Sequence, residues 1–398
     1  MDADGQFVGV QRAECIVGRG IATLENLVND PAQIGLDDPF AGGWHKRRVL
    51  ITGHTGFKGA WLTLWLAELG AEITGISLPG SVSEPNLYEL ASLYGSCRDL
   101  RLDINDVESL VTAVREARPE VIIHLAAQSL VRRGYANPSN TYLTNVMGTM
   151  NILQALRGVD SVEAVLIVTS DKCYRRGEEE DHFFSEDDPL GGSDPYSASK
   201  AAAEMVVSGV KGLAGLPPIA TARSGNVIGG GDWGEDRLIS DLARALVDEE
   251  GAVIRRPTDV RPWQHALDCL GGYLLLMHRL SSEPGVAGPF NFGPDGVEDM
   301  TVGELADQFV AKAGGKPWRD ASVNQASAPQ EAPWLRLSNR RACERLGWAP
   351  VLDTATAVDW SAEWHCRMIS GEQPGQLCQE FISRYVTAAR QTGVAWAA

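Results

Sequence analysis

The segment TGHTGFKG at residues 52–59 constrains this chain more than any other. It follows the short apolar run RVLIT (48–52). It precedes residues 60–69, where Trp61, Leu62, Trp65, Leu66 and Leu69 recur at helical spacing. Gly53, Gly56 and Gly59 are spaced G-x-x-G-x-x-G. A strand, a glycine turn and a helix in that order suit three tasks: a tight turn, close approach of backbone to a pyrophosphate, and close packing of helix on strand. The free N–H groups and partial positive charge at the helix start favour phosphate there. The alternation continues. Apolar strands are expected at 72–77, 121–126, 164–169 and 219–223, with helices at 107–118, 144–156 and 196–209. This implies the α/β class, a Rossmann-type doubly wound parallel sheet covered on both faces. After Gly225 the pattern becomes irregular, which predicts a smaller C-terminal substrate-binding α/β lobe. The expected division is an N-terminal extension at 1–44, a dinucleotide-binding domain at 45–225, and the lobe at 226–257 and 286–398. A helix at 266–280 is expected to return to the first domain, completing it over about 258–285.

A chain of 398 residues holds one large or two fused domains. Acids outnumber bases 52 to 35, a net charge of -17. That argues against a nucleic-acid partner, which needs clustered Lys and Arg. Of the 35 basic residues only seven are Lys, so each Lys in a motif carries information. The seven Cys (15, 97, 173, 269, 343, 366 and 378) are scattered without a C-x-x-C. Neither a disulfide framework nor a metal site is expected from them. The acidic run at 178–188 reads as a solvated loop. No apolar run approaches the roughly 18 residues that span a bilayer, and no basic-then-apolar leader opens the chain. A cytoplasmic protein without a membrane partner is expected.

Tyr196 and Lys200, in YSASK, lie four apart and share one helix face. A phenol is a poor base at neutral pH, and a fixed cation beside it favours the phenolate. Eight Tyr and seven Lys in 398 residues give roughly 0.14 such pairs by chance. Ser170, Asp171 and Lys172 follow the strand at 164–169, and the C-terminal strand ends of such a sheet are where ligands bind. Residues 77–84, after the second strand, hold no acid close to the strand end and no Arg for a 2′-phosphate, which favours NAD over NADP.

The glycine spacing resembles the extended short-chain dehydrogenase/reductase family. More specific strings are GHTGFKGAWL (53–62), AAQSLV (126–131), TNVMGT (144–149), TSDKCY (169–174), DPYSASK (194–200), GNVIGGGDW (225–233) and RPWQH (261–265). They are similar to the CDP-glucose 4,6-dehydratases of the NAD-dependent epimerase/dehydratase family. The likeness covers roughly residues 23–365, including LENLV (24–28) and FAGGW (40–44). It implies conversion of CDP-glucose to CDP-4-dehydro-6-deoxyglucose and water, in deoxysugar biosynthesis, by a homodimer or larger homo-oligomer. Tyr196, with Lys200, would take the proton of the sugar 4-hydroxyl, and Ser170 would bond the same oxygen. Hydride would pass from C4 to bound NAD. The ketone would acidify C5, and Asp171 would protonate the departing 6-hydroxyl. The hydride would then return to C6. Lys172 stands where dTDP-glucose relatives carry Glu. It would be the C5 base if neutral, or stabilise the enolate if charged.

The same resemblance assigns cofactor contacts to Gly53, Thr55, Gly56, Phe57, Lys58 and Gly59 in the turn, and to Asp103 and Ile104 at the adenine end. Leu125, Ala126, Ala127 and Gln128 follow the fourth strand, and Asn145, Thr169, Tyr196 and Lys200 complete the set. Substrate contacts fall to Gln128, Ser129, Asn226, Arg237, Arg255 and Arg261, the arginines suiting a diphosphate by their forked geometry. Trp263 and His265 read as packing groups. The rival readings are a nucleotide-sugar 4-epimerase, a 4,6-dehydratase of another NDP-hexose, and a non-catalytic binding protein. Epimerisation has no use for the acid at Asp171, and intact Ser170, Asp171, Tyr196 and Lys200 argue against lost catalysis.

Overall fold

The apolar runs become strands buried on both faces. The computed structural model describes residues 40–80, 83–177, 182–248, 250–294, 300–322 and 335–397. Its main sheet has seven parallel strands: β1 (Arg48–Thr52), β2 (Glu72–Ser77), β3 (Arg98–Arg101), β4 (Val121–His124), β5 (Ala164–Val168), β6 (Ile219–Ser224) and β7 (Pro289–Phe292). Their order is β7-β6-β5-β4-β1-β2-β3. Val49 and Ile51 of β1, Val121 and Ile123 of β4, and Leu166 of β5 feed one hydrophobic cluster. The alternate residues Leu50, Ile122, Val165 and Ile167 feed the other. Continuous rather than alternating hydrophobicity is what such strands require.

Helices α1 (Phe57–Glu68), α2 (Val107–Ala117), α3 (Gly148–Ala155) and α4 (Pro195–Val210) cover this sheet. A π-helical stretch, Leu143–Met147, leads into α3, where the sequence predicts uninterrupted α-helix. Helix α2 stops as Arg118 turns left-handed ahead of Pro119. Helix α4 starts where Asp194 accepts the Ser197 N–H at 3.0 Å and Pro195 takes the first position.

Helices α5 (Leu238–Ala245), α7 (Val302–Ala313) and α8 (Thr354–Ile369) build the second lobe, while α6 (Ala266–Ser282) returns to β5 and β6. The chain's later parts are shared out differently from the division expected above. Pro289–Phe292 is the outer strand of the main sheet, paired to β6 from Pro289↔Thr221 to Phe292↔Ser224. Helix α9 (Pro374–Thr392) packs on α1. The extension expected at 1–44 lies outside the described residues up to 39. Phe40 and Trp44 are buried, Phe40 stacking on Trp396 with ring centroids 5.2 Å apart. Among the described residues no helix is long and apolar enough to cross a membrane.

One polar network is buried among the strands. Arg223 of β6 reaches Glu204 of α4 at 3.0 Å (Nε to Oε1) and 2.8 Å (Nη2 to Oε2). Glu204 also accepts from Thr169 at 2.5 Å and from Thr221 at 2.8 Å. Arg223 Nη1 donates to the Tyr174 hydroxyl at 2.9 Å, which donates to Asn291 of β7 at 2.6 Å. Both charged side chains are under 5 % exposed. Removing one partner strands the other charge in the interior. Glu204→Gln should therefore cost about 3–5 kcal/mol of unfolding free energy, read from urea denaturation. A loss below ~1 kcal/mol would show that Arg223 is satisfied without the carboxylate.

Candidate active site

A cleft of about 1050 Å³ opens along the C-terminal ends of β1, β4, β5 and β6. The glycine turn forms one end. Gly53 has φ +76°, and a Cβ there would come within 2.8 Å of the Ala126 nitrogen. A Cβ on Gly59 would lie 2.1 Å from the Gly53 carbonyl oxygen. Gly56 caps α1 without any side chain on the helix N–H groups, and the buried Thr55 hydroxyl has no partner. Free N–H groups, an orphaned hydroxyl and a floor without side chains fit a pyrophosphate.

The neighbouring ground is polar in a way the sequence does not announce. Ser77 bonds His54 Nδ1 at 3.0 Å, and His54 Nε2 lies 3.0 Å from Asp99 on β3. Asp99 in turn holds Arg101 at 2.7 and 2.8 Å. Burial keeps the His54 imidazole below its ordinary value in spite of that carboxylate. Asp103 and Ile104 line the cleft beside this cluster.

The cofactor candidates Gly53, Thr55, Gly56, Phe57, Lys58, Gly59, Asp103, Ile104, Leu125, Ala126, Ala127, Gln128, Thr169, Tyr196 and Lys200 all line the cleft. Asn145 does not. Its Nδ2 donates to the Gln128 carbonyl at 3.0 Å and to Ser199 at 2.8 Å, and its Oδ1 accepts from the Gln128 N–H at 2.8 Å. Asn145 thus positions the β4 loop against α4. The Gln128 amide is similarly engaged, donating to Leu130 O and Thr141 Oγ1 and accepting from Leu130 N.

The turn after β5 carries the reactive groups. Ser170 Oγ donates to Asp171 Oδ1 at 2.9 Å and accepts from Lys172 N at 3.2 Å, and it is near enough to Tyr196 to favour the phenolate. Asp171 is 3 % exposed, and its Oδ2 has no partner. Burial pushes its pKa up, opposed by Lys172 and Ser170. A carboxyl raised in this way can hold a proton for a leaving group.

The Tyr–Lys pair departs from the sequence expectation. Tyr196 is pushed up to about 12, by burial first and then by Asp171, with Ser170 opposing. Lys200 donates to the Val168 carbonyl at 3.1 Å and is itself brought down to about 7, by burial and by Lys58. Spacing showed that the two share a face but not that desolvation dominates both. In the protein alone the phenol keeps its proton.

Across the cleft, Ser129, Asn226, Arg237, Arg255 and Arg261 line the substrate side. Each arginine already has a carboxylate: Asp232 for Arg237 at 3.0 Å, Asp236 for Arg255 at 2.8 Å, and Asp259 for Arg261 at 2.7 Å. Arg132 and Arg133, which the sequence reading passed over, pair with Asp236 at 3.2 Å and Glu235 at 2.8 Å across the mouth. Their position after the β4 loop was the available signal. Trp263 lines the cleft and donates to Met300 O at 3.1 Å, and His265 caps α6 with its imidazole held down to about 3 by burial. Among the described residues no group of three or more His, Cys, Asp or Glu is placed to hold a metal ion.

The family model for GDP-mannose 4,6 dehydratase matches residues 50–359. A CDP-glucose 4,6-dehydratase of Salmonella typhimurium is 39% identical over 356 residues, covering 87% of this chain and 98% of that protein. The UDP-glucose 4-epimerase of Thermus thermophilus, solved in complex with NAD, superposes with TM-score 0.69 at 24% identity, over 80% of this chain and 98% of that one. A dTDP-glucose 4,6-dehydratase of Bacillus anthracis in complex with NAD gives 0.68 at 19%, over 83% and 99%.

The Lys200 shift has a testable sign. The unfolded chain holds the Lys200 proton up to about 10.5, the folded protein only to about 7. Between those values the unfolded state binds more protons, so stability contributed by this site rises with pH. Lys200→Met should flatten the rise in urea midpoint between pH 7 and 10. An unchanged slope would show that Lys200 is not buried in neutral form.

Proposed function

The chain belongs to the GDP-mannose 4,6-dehydratase family, and from that premise we propose that it is a CDP-glucose 4,6-dehydratase using NAD. The observation that carries the dehydratase reading is the Ser170–Asp171–Lys172 turn. It sets a buried carboxyl, raised in pKa and with one free oxygen, beside Tyr196. A 4-epimerase has no leaving hydroxyl to protonate. The choice of CDP-glucose among hexoses is supported by the 39% identical Salmonella relative.

NAD, when bound, supplies the hydride acceptor and donor. The glycine turn and Thr55 would hold its pyrophosphate, with Asp103 and Ile104 at the adenine end. Tyr196 takes the 4-hydroxyl proton, with Ser170 bonding the same oxygen. Because burial keeps the phenol protonated in the protein alone, ionisation depends on positive charge brought in beside it. The ketone at C4 acidifies C5. Lys172 serves that proton step, as base if neutral and as counter-charge to the enolate if charged. Asp171 protonates the 6-hydroxyl as it departs. Arg237, Arg255 and Arg261 bind the diphosphate while keeping their carboxylate partners.

Two further readings follow. Tyr142, Leu143, Met147 and Met150 before and in α3, and Met205 on α4, form an exposed apolar face on neighbouring helices. It suits a second copy of the chain, giving a homodimer. The six described cysteines are free thiols, which suits the reducing cytoplasm.

The protein should convert CDP-glucose, and not dTDP-glucose, UDP-glucose or GDP-mannose, to a 4-keto-6-deoxy product with alkaline absorbance. Turnover of another sugar with none of CDP-glucose would overturn the substrate reading. Asp171→Asn should slow dehydration by about 10²–10⁴-fold while C4 oxidation in a single turnover continues. Equal loss of both steps would remove Asp171 as the acid. Met147→Glu should shift the molar mass by light scattering from dimer to monomer, and an unchanged mass would place the interface elsewhere.

A further inference from the structure

Two sets of cations in the cleft differ in what holds them. Arg237, Arg255 and Arg261, on the substrate side, each lie against a carboxylate at 2.7–3.0 Å, Asp236 and Asp259 being shared with Arg132 and Arg256. Lys58 and Lys200, on the cofactor side, are held by neutral oxygens. Lys58, in the first turn of α1, reaches across to the end of β6. Its Nζ lies 3.5 Å from Ser224 Oγ and 3.4 Å from the Tyr273 hydroxyl. Those two hydroxyls are bonded to each other at 2.8 Å, and Nζ also sits 5.5 Å from the Tyr273 ring centroid. Tyr273 is fully buried in α6, so this cradle is rigid. Among the described residues no carboxylate forms an ion pair with Lys58.

The charge is felt by the reacting groups. After burial, Lys58 is the largest influence lowering Lys200, and Asp171 is among the groups acting on Lys58. A further positive charge entering this end of the cleft meets two buried lysines. The two oxidation states of a nicotinamide differ in just this respect, since the oxidised ring is a cation and the reduced ring is neutral.

We propose that Lys58 sets the balance between the oxidised and reduced forms of the bound nicotinamide cofactor, its ammonium on Ser224 and Tyr273 disfavouring the cationic ring. This rests on the reading of the cleft as an NAD site. It gives Lys58 a task separate from the phosphate-binding turn in which it lies. A neutral side chain at this position would bind the cofactor without favouring reduction.

The test is equilibrium binding to the full chain freed of nucleotide, with NAD⁺, NADH and ADP-ribose as probes. Lys58→Met should raise NAD⁺ affinity relative to NADH by about tenfold, the effect of one charge roughly 10 Å away at an effective dielectric constant of about 20. ADP-ribose, which has the diphosphate but no ring, should bind as before. Lys58→Arg should keep the wild-type ratio. Lys58→Gln, a neutral side chain that keeps hydrogen-bond donors, should repeat the Met result and guards against a packing defect. If Lys58→Met weakens all three ligands by one factor, Lys58 is a phosphate contact and the proposal fails while the NAD reading stands. If the wild-type chain binds none of the three, the NAD reading fails and the proposal with it.

Discussion

The buried pair between Arg223 and Glu204 is what the site depends on. Glu204 lies one turn beyond Lys200 on α4, so its position sets how far that helix slides along the sheet. Its carboxylate takes Thr169, immediately before Ser170, and Thr221 of β6. Arg223 passes the constraint on to Tyr174 at the far side of the reactive turn, and Tyr174 passes it to β7. Ser170, Asp171 and Lys172 are therefore clamped between two residues tied to one ion pair. An apolar replacement of equal volume could be as stable, but it would not dictate this register. The same logic explains Asn145, which bonds the Gln128 backbone and Ser199 so that the β4 loop and α4 meet at one setting.

Charge is distributed with equal economy. The chain carries a net -17, yet ten basic side chains line the cleft. On the side of Arg237, Arg255 and Arg261 the arginines lean on carboxylates, Asp236 serving both Arg255 and Arg132 and Asp259 both Arg261 and Arg256, so that wall keeps an excess of positive charge. On the cofactor side the lysines lean on hydroxyls and a carbonyl, which leaves their charge or its absence to the surroundings. Desolvation moves Tyr196 and Lys200 in opposite directions, and both toward their neutral forms.

The first half of the chain was legible because its signals are local. RVLIT, VIIH and AVLIV read as strands since both faces are buried, and TGHTGFKG reads as a turn since Gly53 must adopt a positive φ. Asp194-Pro195 marks the start of α4 to within one residue. What stayed hidden depends on distant parts of the chain. Pro289–Phe292 is too short to declare itself, and only pairing to β6 makes it a strand of the main sheet. The Tyr196–Lys200 spacing exposed the pair but not its electrostatics, which are set by how deeply β5 and α4 bury it. The arginines were visible as cations. Their partners Asp232, Asp236 and Asp259 were visible only as acids until the loops brought them together.

Helix α1 is shut in by parts of the chain made long after it. Trp65 meets Tyr385 of α9 edge-on at 5.6 Å, and Trp396 closes over Phe40. On the ribosome, the turn and α1 emerge early, and Trp65 lacks its partners Tyr385 and Trp396 until α9 and the chain end follow. At ordinary rates of synthesis that interval is on the order of tens of seconds. Throughout it Trp65 is only partly covered, by Phe40 and then by α6, so the closing of this face is left to the last helix.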